Sequence, residues 1–184
     1  MIEKESRHMK HIVGMVLALS LASTAYASED VVTAVHGSVE KIDSTSKTIV
    51  VKTDDGARHV VHFTDRTAVH GADAGENATK DSWHGLKVGS EAVVHYTTRG
   101  TEDSAVEIDK VGDGGLKATE GAVKGIDRGG KVLVIGAKDG SVETFRLTEH
   151  ATKDGGKGAV KGAKVTVFYS ETAGKKIAHF FATP

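Results

Sequence analysis

The chain is predicted to be all-β: two tandem small five-stranded barrels, OB-like with an SH3-like barrel as the alternative, behind a cleaved signal peptide. Three observations lead there. A stretch is written twice, since one constant shift lays Gly37-x-Val39-x-x-Ile42-Asp43 onto Gly121-x-Val123-x-x-Ile126-Asp127, with nine identities in the 32 positions from His36 to Thr67. β-Branched residues come in short alternating runs separated by Gly, Asp and Ser, the spacing of strands and turns. Each copy also carries an Asp-Gly hairpin signal, Asp55-Gly56 and Asp139-Gly140.

Residues 1–27 read as the signal peptide, with a basic start at Lys4, Arg7 and Lys10, an apolar run from Ile12 to Ala22, and Ala25-Tyr26-Ala27 as the cleavage site. Met1 and Met9 are both possible starts. The apolar run is too short to span a bilayer, no stop-transfer helix follows, and a chain without Cys has no lipoprotein anchor. The expected compartment is periplasmic or extracellular. Taking the leader's three basic and two acidic residues from the 24 Lys/Arg and 25 Asp/Glu leaves a formal balance of −2. That is not the basic footprint of a nucleic-acid binder. Without Cys, disulfides and thiolate metal sites are excluded.

In the first unit, 28–111, strands are expected near 32–42, 47–54, 57–64, 91–98 and 104–111. Gly37 inside the first marks a bulge or bend, the device by which a small sheet curls into a barrel. Between Asp65 and Ser90 the strand pattern stops, and Ala74 to Trp83 reads as a short helix or structured loop. Residues 112–116 form a Gly-rich linker. The second unit, 117–184, repeats the order near 117–127, 131–137, 141–148, 164–170 and 175–183. Gly37 aligns with Gly121 at an offset of 84 and Gly89 with Gly162 at an offset of 73, so the first unit's irregular segment is longer by the difference, 84 less 73.

Comparing the copies sorts inward from outward positions. Ile49 and Val51 match Leu133 and Ile135; Val61 and Phe63 match Phe145 and Leu147; Ala92, Val94 and Tyr96 match Val165, Val167 and Tyr169. These are the predicted core sets. His62 aligns with Arg146 and His95 with Phe168, so both histidines fall outside the core and read as solvated. The G-x-V-x-x-I-D opening, the T-I-V-V-K-T-D-D-G and K-V-L-V-I-G-A-K-D-G hairpins and L-K-V-G-S-E-A-V-V-H-Y resemble bacterial envelope domains of unknown function that occur as tandem OB-like β-barrel repeats. The resemblance implies a secreted barrel and brings no catalytic residues.

The chemistry-bearing residues are sparse. No G-x-S-x-G elbow or P-loop is present and no Cys nucleophile exists, so the protein is not expected to be an enzyme. The outward positions of strands two and three lack stacking aromatics, which disfavours nucleic acid. His59 and His62, three apart on a strand, point to opposite faces and cannot chelate together. The extra segment gathers His70, Asp73, Glu76, Asp81 and His84 in one short stretch, nitrogen and oxygen donors that suit Zn, Ni or Cu(II). Its spacing is not that of an EF-hand. Val50, Val134, Phe168, Phe180 and Phe181 are apolar residues left for an interface, either between the barrels or with another envelope protein or a second copy. The expected function is a secreted, non-catalytic binding or structural module; the alternative is a periplasmic divalent-metal-binding protein using segment 70–84.

Overall fold

Strand boundaries follow the punctuation of the sequence except between Asp65 and Ser90, where no strand is expected and three short ones form, at Ala68–His70, Ser82–Trp83 and Leu86–Lys87. The computed structural model describes residues 32–71, 82–156 and 158–184, and the expected signal peptide and Asp73, Glu76 and Asp81 lie outside them. The first unit comprises β1 (Val32–Asp43), β2 (Thr48–Lys52), β3 (Arg58–His62), β4 (Ala68–His70), β5 (Ser82–Trp83), β6 (Leu86–Lys87), β7 (Glu91–Arg99) and β8 (Glu102–Val111). The second comprises β9 (Lys117–Asp127), β10 (Val132–Ala137), β11 (Val142–Leu147), helix α1 (Glu149–Asp154), β12 (Lys164–Thr172) and β13 (Lys175–Ala182).

Both units close with the same strand order. In the second, β10-β11-β13-β12-β9 is a closed barrel. In the first, β3-β2-β1-β7-β8 corresponds strand for strand, and a parallel bridge from His62 to Ser104 joins β3 to β8. Five strands in this order, with an irregular or helical piece after the third, are the OB-like architecture. The small β4 is an addition, laid parallel on β8 with His70 opposite Asp109.

The repeat extends to the irregularities. The β1–β2 ladder skips Glu40, and the β9–β10 ladder skips Lys124, its equivalent in the second copy. The β7–β8 ladder skips Val106, and the β12–β13 ladder skips His179, again the equivalent position. Such bulges sharpen the local twist and turn a strand round the barrel. The Asp-Gly hairpins are three-residue loops in which Gly56 (φ 85°) and Gly140 (φ 86°) alone take the left-handed conformation, and Asp55 Oδ1 instead accepts from Ala57 N. The two-residue mirror turn would have needed positive φ at the aspartate as well.

Gly37 sits where β1 leaves its pairing with β7 for β2. A Cβ there would lie 2.3 Å from the Lys52 carbonyl oxygen, whereas at Gly125 one would meet nothing within 4 Å. Gly37→Ala should therefore destabilise by about 1–3 kcal/mol through forced backbone movement. Gly125→Ala should be neutral or stabilising by up to about 1 kcal/mol, since it removes only unfolded-chain freedom. Urea denaturation of the two variants checks the contrast, and equal effects would count against the close approach at Gly37.

The core sets paired by the repeat fill the two barrel interiors. Ile49, Val51, Val61, Phe63, Ala92, Val94 and Tyr96 lie in one cluster, and Leu133, Ile135, Phe145, Leu147, Val165, Val167 and Tyr169 in the other. Trp83 stacks on Phe63 at 4.0 Å between ring centroids and plugs the first barrel, presented by the β5–β6 hairpin with His84 and Gly85 at its turn. A third cluster belongs to neither interior. Val93 and Leu116 pack with Phe168 and Phe180, flanked by Ala34, Val111 and Ala182, and this seam joins the two barrels.

The apolar interface candidates divide accordingly. Phe168 and Phe180 lie in the seam, where Phe168 also stacks on His36 at 4.3 Å. Phe181, next along the strand and so on the other face, is fully buried in the second barrel's own core. Val50 and Val134 are half-buried on the outer faces of β2 and β10 and are not members of the seam cluster.

Candidate metal centre

Alternation along β7 and β8 sends Val94 and Ile108 into the barrel and His95, Glu107 and Asp109 out of it. The bulge at Val106 lets Ala105 face inward as well, although Glu107 next but one does not. Facing outward does not expose these side chains, because the second barrel covers them. His95 is thus a correction to the solvated reading: it stands outside its barrel's core yet is 0% exposed. Asp109, also 0% exposed, lies beneath the same cover.

Around this pair the structure gathers four imidazoles and two carboxylates. His95, Glu107 and Asp109 come from β7 and β8, and His70 from the end of β4. The second barrel adds His150, on α1, and His179, the bulged residue of β13. Thr148 holds α1 in place by accepting from Ala151 N at 3.0 Å, and Arg128 donates to the Gly155 carbonyl oxygen at 2.9 Å just beyond the helix. His150 Nδ1 donates to Glu107 Oε2 at 2.8 Å. His70 Nε2 lies 3.3 Å from Glu107 Oε1. His179 Nδ1 lies 3.5 Å from Asp109 Oδ2 and 3.9 Å from Glu107 Oε1, and His95 Nε2 lies 3.9 Å from Asp109 Oδ2.

These charges perturb one another strongly. The His179 ring beside Glu107, assisted by His95 and His150, holds the Glu107 carboxyl down at about 2 against the cost of burial. Burial opposes charge on His179, but Asp109 and Glu107 together outweigh it and carry its pKa up to about 9. His179 is therefore favoured as an imidazolium beside the two carboxylates. With Nε2 also protonated, His179 donates to Ser170 Oγ at 3.0 Å, which fixes the ring with Nδ1 toward the carboxylates. His36, at the apolar end of the seam, behaves oppositely: burial lowers its pKa despite Glu91 and Asp54.

Neither oxygen of Asp109 accepts a hydrogen bond among the described residues. A buried carboxylate without hydrogen bonds is costly unless a cation compensates it, and the charge nearest Asp109 is the His179 ring at 3.5 Å. Most of the donor separations, at 3.3 to 3.9 Å, exceed hydrogen-bond length. A tetrahedral ion with bonds of about 2.0–2.1 Å places its ligands about 3.3–3.4 Å apart, the separation of His70 from Glu107, whereas His150 and Glu107 at 2.8 Å are in direct contact.

Of the candidates from segment 70–84, the centre includes His70. His84 sits exposed in the β5–β6 turn against the edge of Trp83. Sequence reasoning missed Glu107, Asp109, His150 and His179 and left His95 to solvent. A signal was present in the repeat. At the offset of 73, His95, Glu107 and Asp109 answer to Phe168, Phe180 and Ala182, so equivalent outward positions are polar in one copy and apolar in the other. Outward phenylalanines with polar counterparts mark a face that is covered.

No family model and no curated protein matches the chain. Among solved structures, CusF-Ag(I) from Escherichia coli is 17% identical, covering 45% of this chain and 95% of its own, with a TM-score of 0.34. Apo-CusF from the same organism is 17% identical over 47% of this chain and 95% of its own, also at 0.34. The drosophila Unr CSD456 structure is 13% identical over 83% of this chain and 61% of its own, at 0.33. At these scores the likeness says nothing about the seam, whose reading rests on its own side chains.

Proposed function

We propose that this is a secreted or periplasmic, non-catalytic binding protein whose two OB-like barrels hold a divalent transition metal at their seam. The observation that carries the reading is the convergence of His70, His95, His150 and Asp109 on Glu107, with Asp109 a fully buried carboxylate that has no hydrogen bond among the described residues. Imidazole and carboxylate donors suit Zn, Ni and Cu(II) over Mg or Ca, which favour all-oxygen shells. The ligand set differs from a loop-borne one: it keeps His70 and draws the rest from β7, β8, α1 and β13. Among the described residues no helix is long and apolar enough to cross a membrane.

Calorimetric titration of the metal-stripped chain with zinc, nickel and copper tests the reading. Binding at or below about 1 μM, equivalent to about −8 kcal/mol, is expected for at least one of them. Combining His70→Ala with His150→Ala should weaken it at least tenfold, whereas His84→Ala should leave it unchanged. Absence of binding in the intact chain, or binding indifferent to the double variant, would overturn the proposal.

A further inference from the structure

We infer that the centre is dinuclear, two divalent transition-metal ions bridged by the carboxylate of Glu107. The inference rests on the metal-binding reading and deepens it. Its ground is the way the two oxygens of Glu107 divide the imidazoles. Oε2 takes His150 Nδ1 at 2.8 Å, while Oε1 faces His70 Nε2 at 3.3 Å and His179 Nδ1 at 3.9 Å.

Two donor sets share this carboxylate. In one, His95, Glu107 and His150 bring donor atoms within 4.8 Å of one another; in the other, His70, Glu107 and Asp109 do so. Glu107 is the only residue common to both. One ion with the four-coordinate preference of zinc cannot take five residues arranged on two sides of a carboxylate. Two ions, each on its own oxygen, use all five, and a bridging carboxylate suits a metal pair about 3.5–4 Å apart. Asp109 stands between the sets, its Oδ2 3.9 Å from His95 Nε2 and 3.5 Å from His179 Nδ1. On releasing its Nδ1 proton His179 would be placed to complete the second ion's shell, its ring already oriented by Ser170.

The second ion also has a way in. A cavity of about 240 Å³ lies between Gly71 and the turn at Gly114 and Gly115, with His70, His179 and Ser170 on its wall. Gly71 and Gly115 form part of its wall by close backbone approach, since a Cβ on Gly71 would come within 2.4 Å of the Gly115 Cα. The first set sits deeper, with His95 enclosed and His150 offered from α1. The two positions therefore differ in exposure, and the one beside the cavity should exchange faster.

Stoichiometry decides the matter. The metal-stripped full chain is saturated with zinc, freed of excess on a desalting column, and assayed for metal and protein; cobalt(II) is used in parallel, because two bridged Co(II) ions give an exchange-coupled resonance signal that an isolated ion lacks. Two zinc equivalents and coupled cobalt are expected. His70→Ala should retain one equivalent, His150→Ala one, and Glu107→Gln at most one with the coupling lost. His70 and His150 are partly exposed, so these variants should fold even if Glu107→Gln does not, and circular dichroism checks it. One equivalent in the intact chain would overturn the dinuclear inference while leaving the metal reading standing. Zero would overturn both. Two equivalents retained in every variant would place the ions elsewhere and overturn it as well.

Discussion

Replacing Phe168 with alanine is expected to lower the stability of the whole chain by about 3–5 kcal/mol, although Phe168 belongs to neither barrel's interior. The ring is 4% exposed, stacks on His36 at 4.3 Å and lies against Phe180 at 6.1 Å between centroids. Truncating it leaves a void at the centre of the apolar seam between two domains near the lower size limit for independent cores. The effect should also be visible as lost cooperativity. The single tryptophan, Trp83, reports on the first barrel alone, while far-ultraviolet circular dichroism reports on both. In the intact chain the two urea transitions should coincide, as for one cooperative unit; in Phe168→Ala they should separate. A loss below about 1 kcal/mol with transitions still coincident would mean that the seam does not couple the barrels.

The second large effect concerns metal. Because the proposed donors come from both barrels, a bound ion would stabilise their docked arrangement. A ligand at one hundred times its dissociation constant adds about 2.7 kcal/mol. For a chain of this size that corresponds to a rise of roughly 5–10 °C in Tm. Zinc should raise the Tm by that order, and a chelator should reverse it. His84→Ala should respond as the intact chain does, since His84 lies in the β5–β6 turn away from the cluster. The pair His70→Ala and His150→Ala should abolish most of the shift. Phe168→Ala should recover part of its coincident unfolding when zinc is added, the ions replacing the apolar contact as the tie. A shift that survives loss of both histidines would show that zinc stabilises from another position.

Much of the barrel architecture was legible because the chain states it twice. Val94 against Val167 and Val61 against Phe145 are positions where two independent solutions to one fold agree on apolarity, and agreement of that kind reports an interior. Outward positions carry no such agreement, and there the reading divided. Phe168 and Phe180 were recognisable as covered surface, yet their cover was not identifiable. His95 sat in the same row of the other copy and was read as solvated, because strand alternation distinguishes inside from outside a barrel and says nothing of what lies beyond it. Phe181 was grouped with Phe180 since adjacency on a strand does not reveal which of two aromatics faces inward.

The metal candidates show the same division. Segment 70–84 drew attention because its donors are close in sequence, and proximity along the chain is the one form of proximity a sequence displays. His70 does reach a cluster, but by pairing of β4 with β8, which sets it opposite Asp109. His150 is far from its partner Glu107 along the chain and arrives on a helix of the other barrel.

The sequence by itself determined two small barrels, their main strands and core faces, and the bend at Gly37, because each is a local pattern enforced by alternation, turn chemistry or repetition; the closing strand pairing that separates OB-like from SH3-like came from the structure. Only the tertiary structure decided that the outer faces of β7 and β8 meet those of β12 and β13. That meeting buries His95 and Asp109 and brings His150 and His179 to Glu107. Its physical reason is that the docking of two folded units is set by complementary surfaces whose residues are far apart in the chain, and neither periodicity nor spacing records which surfaces touch.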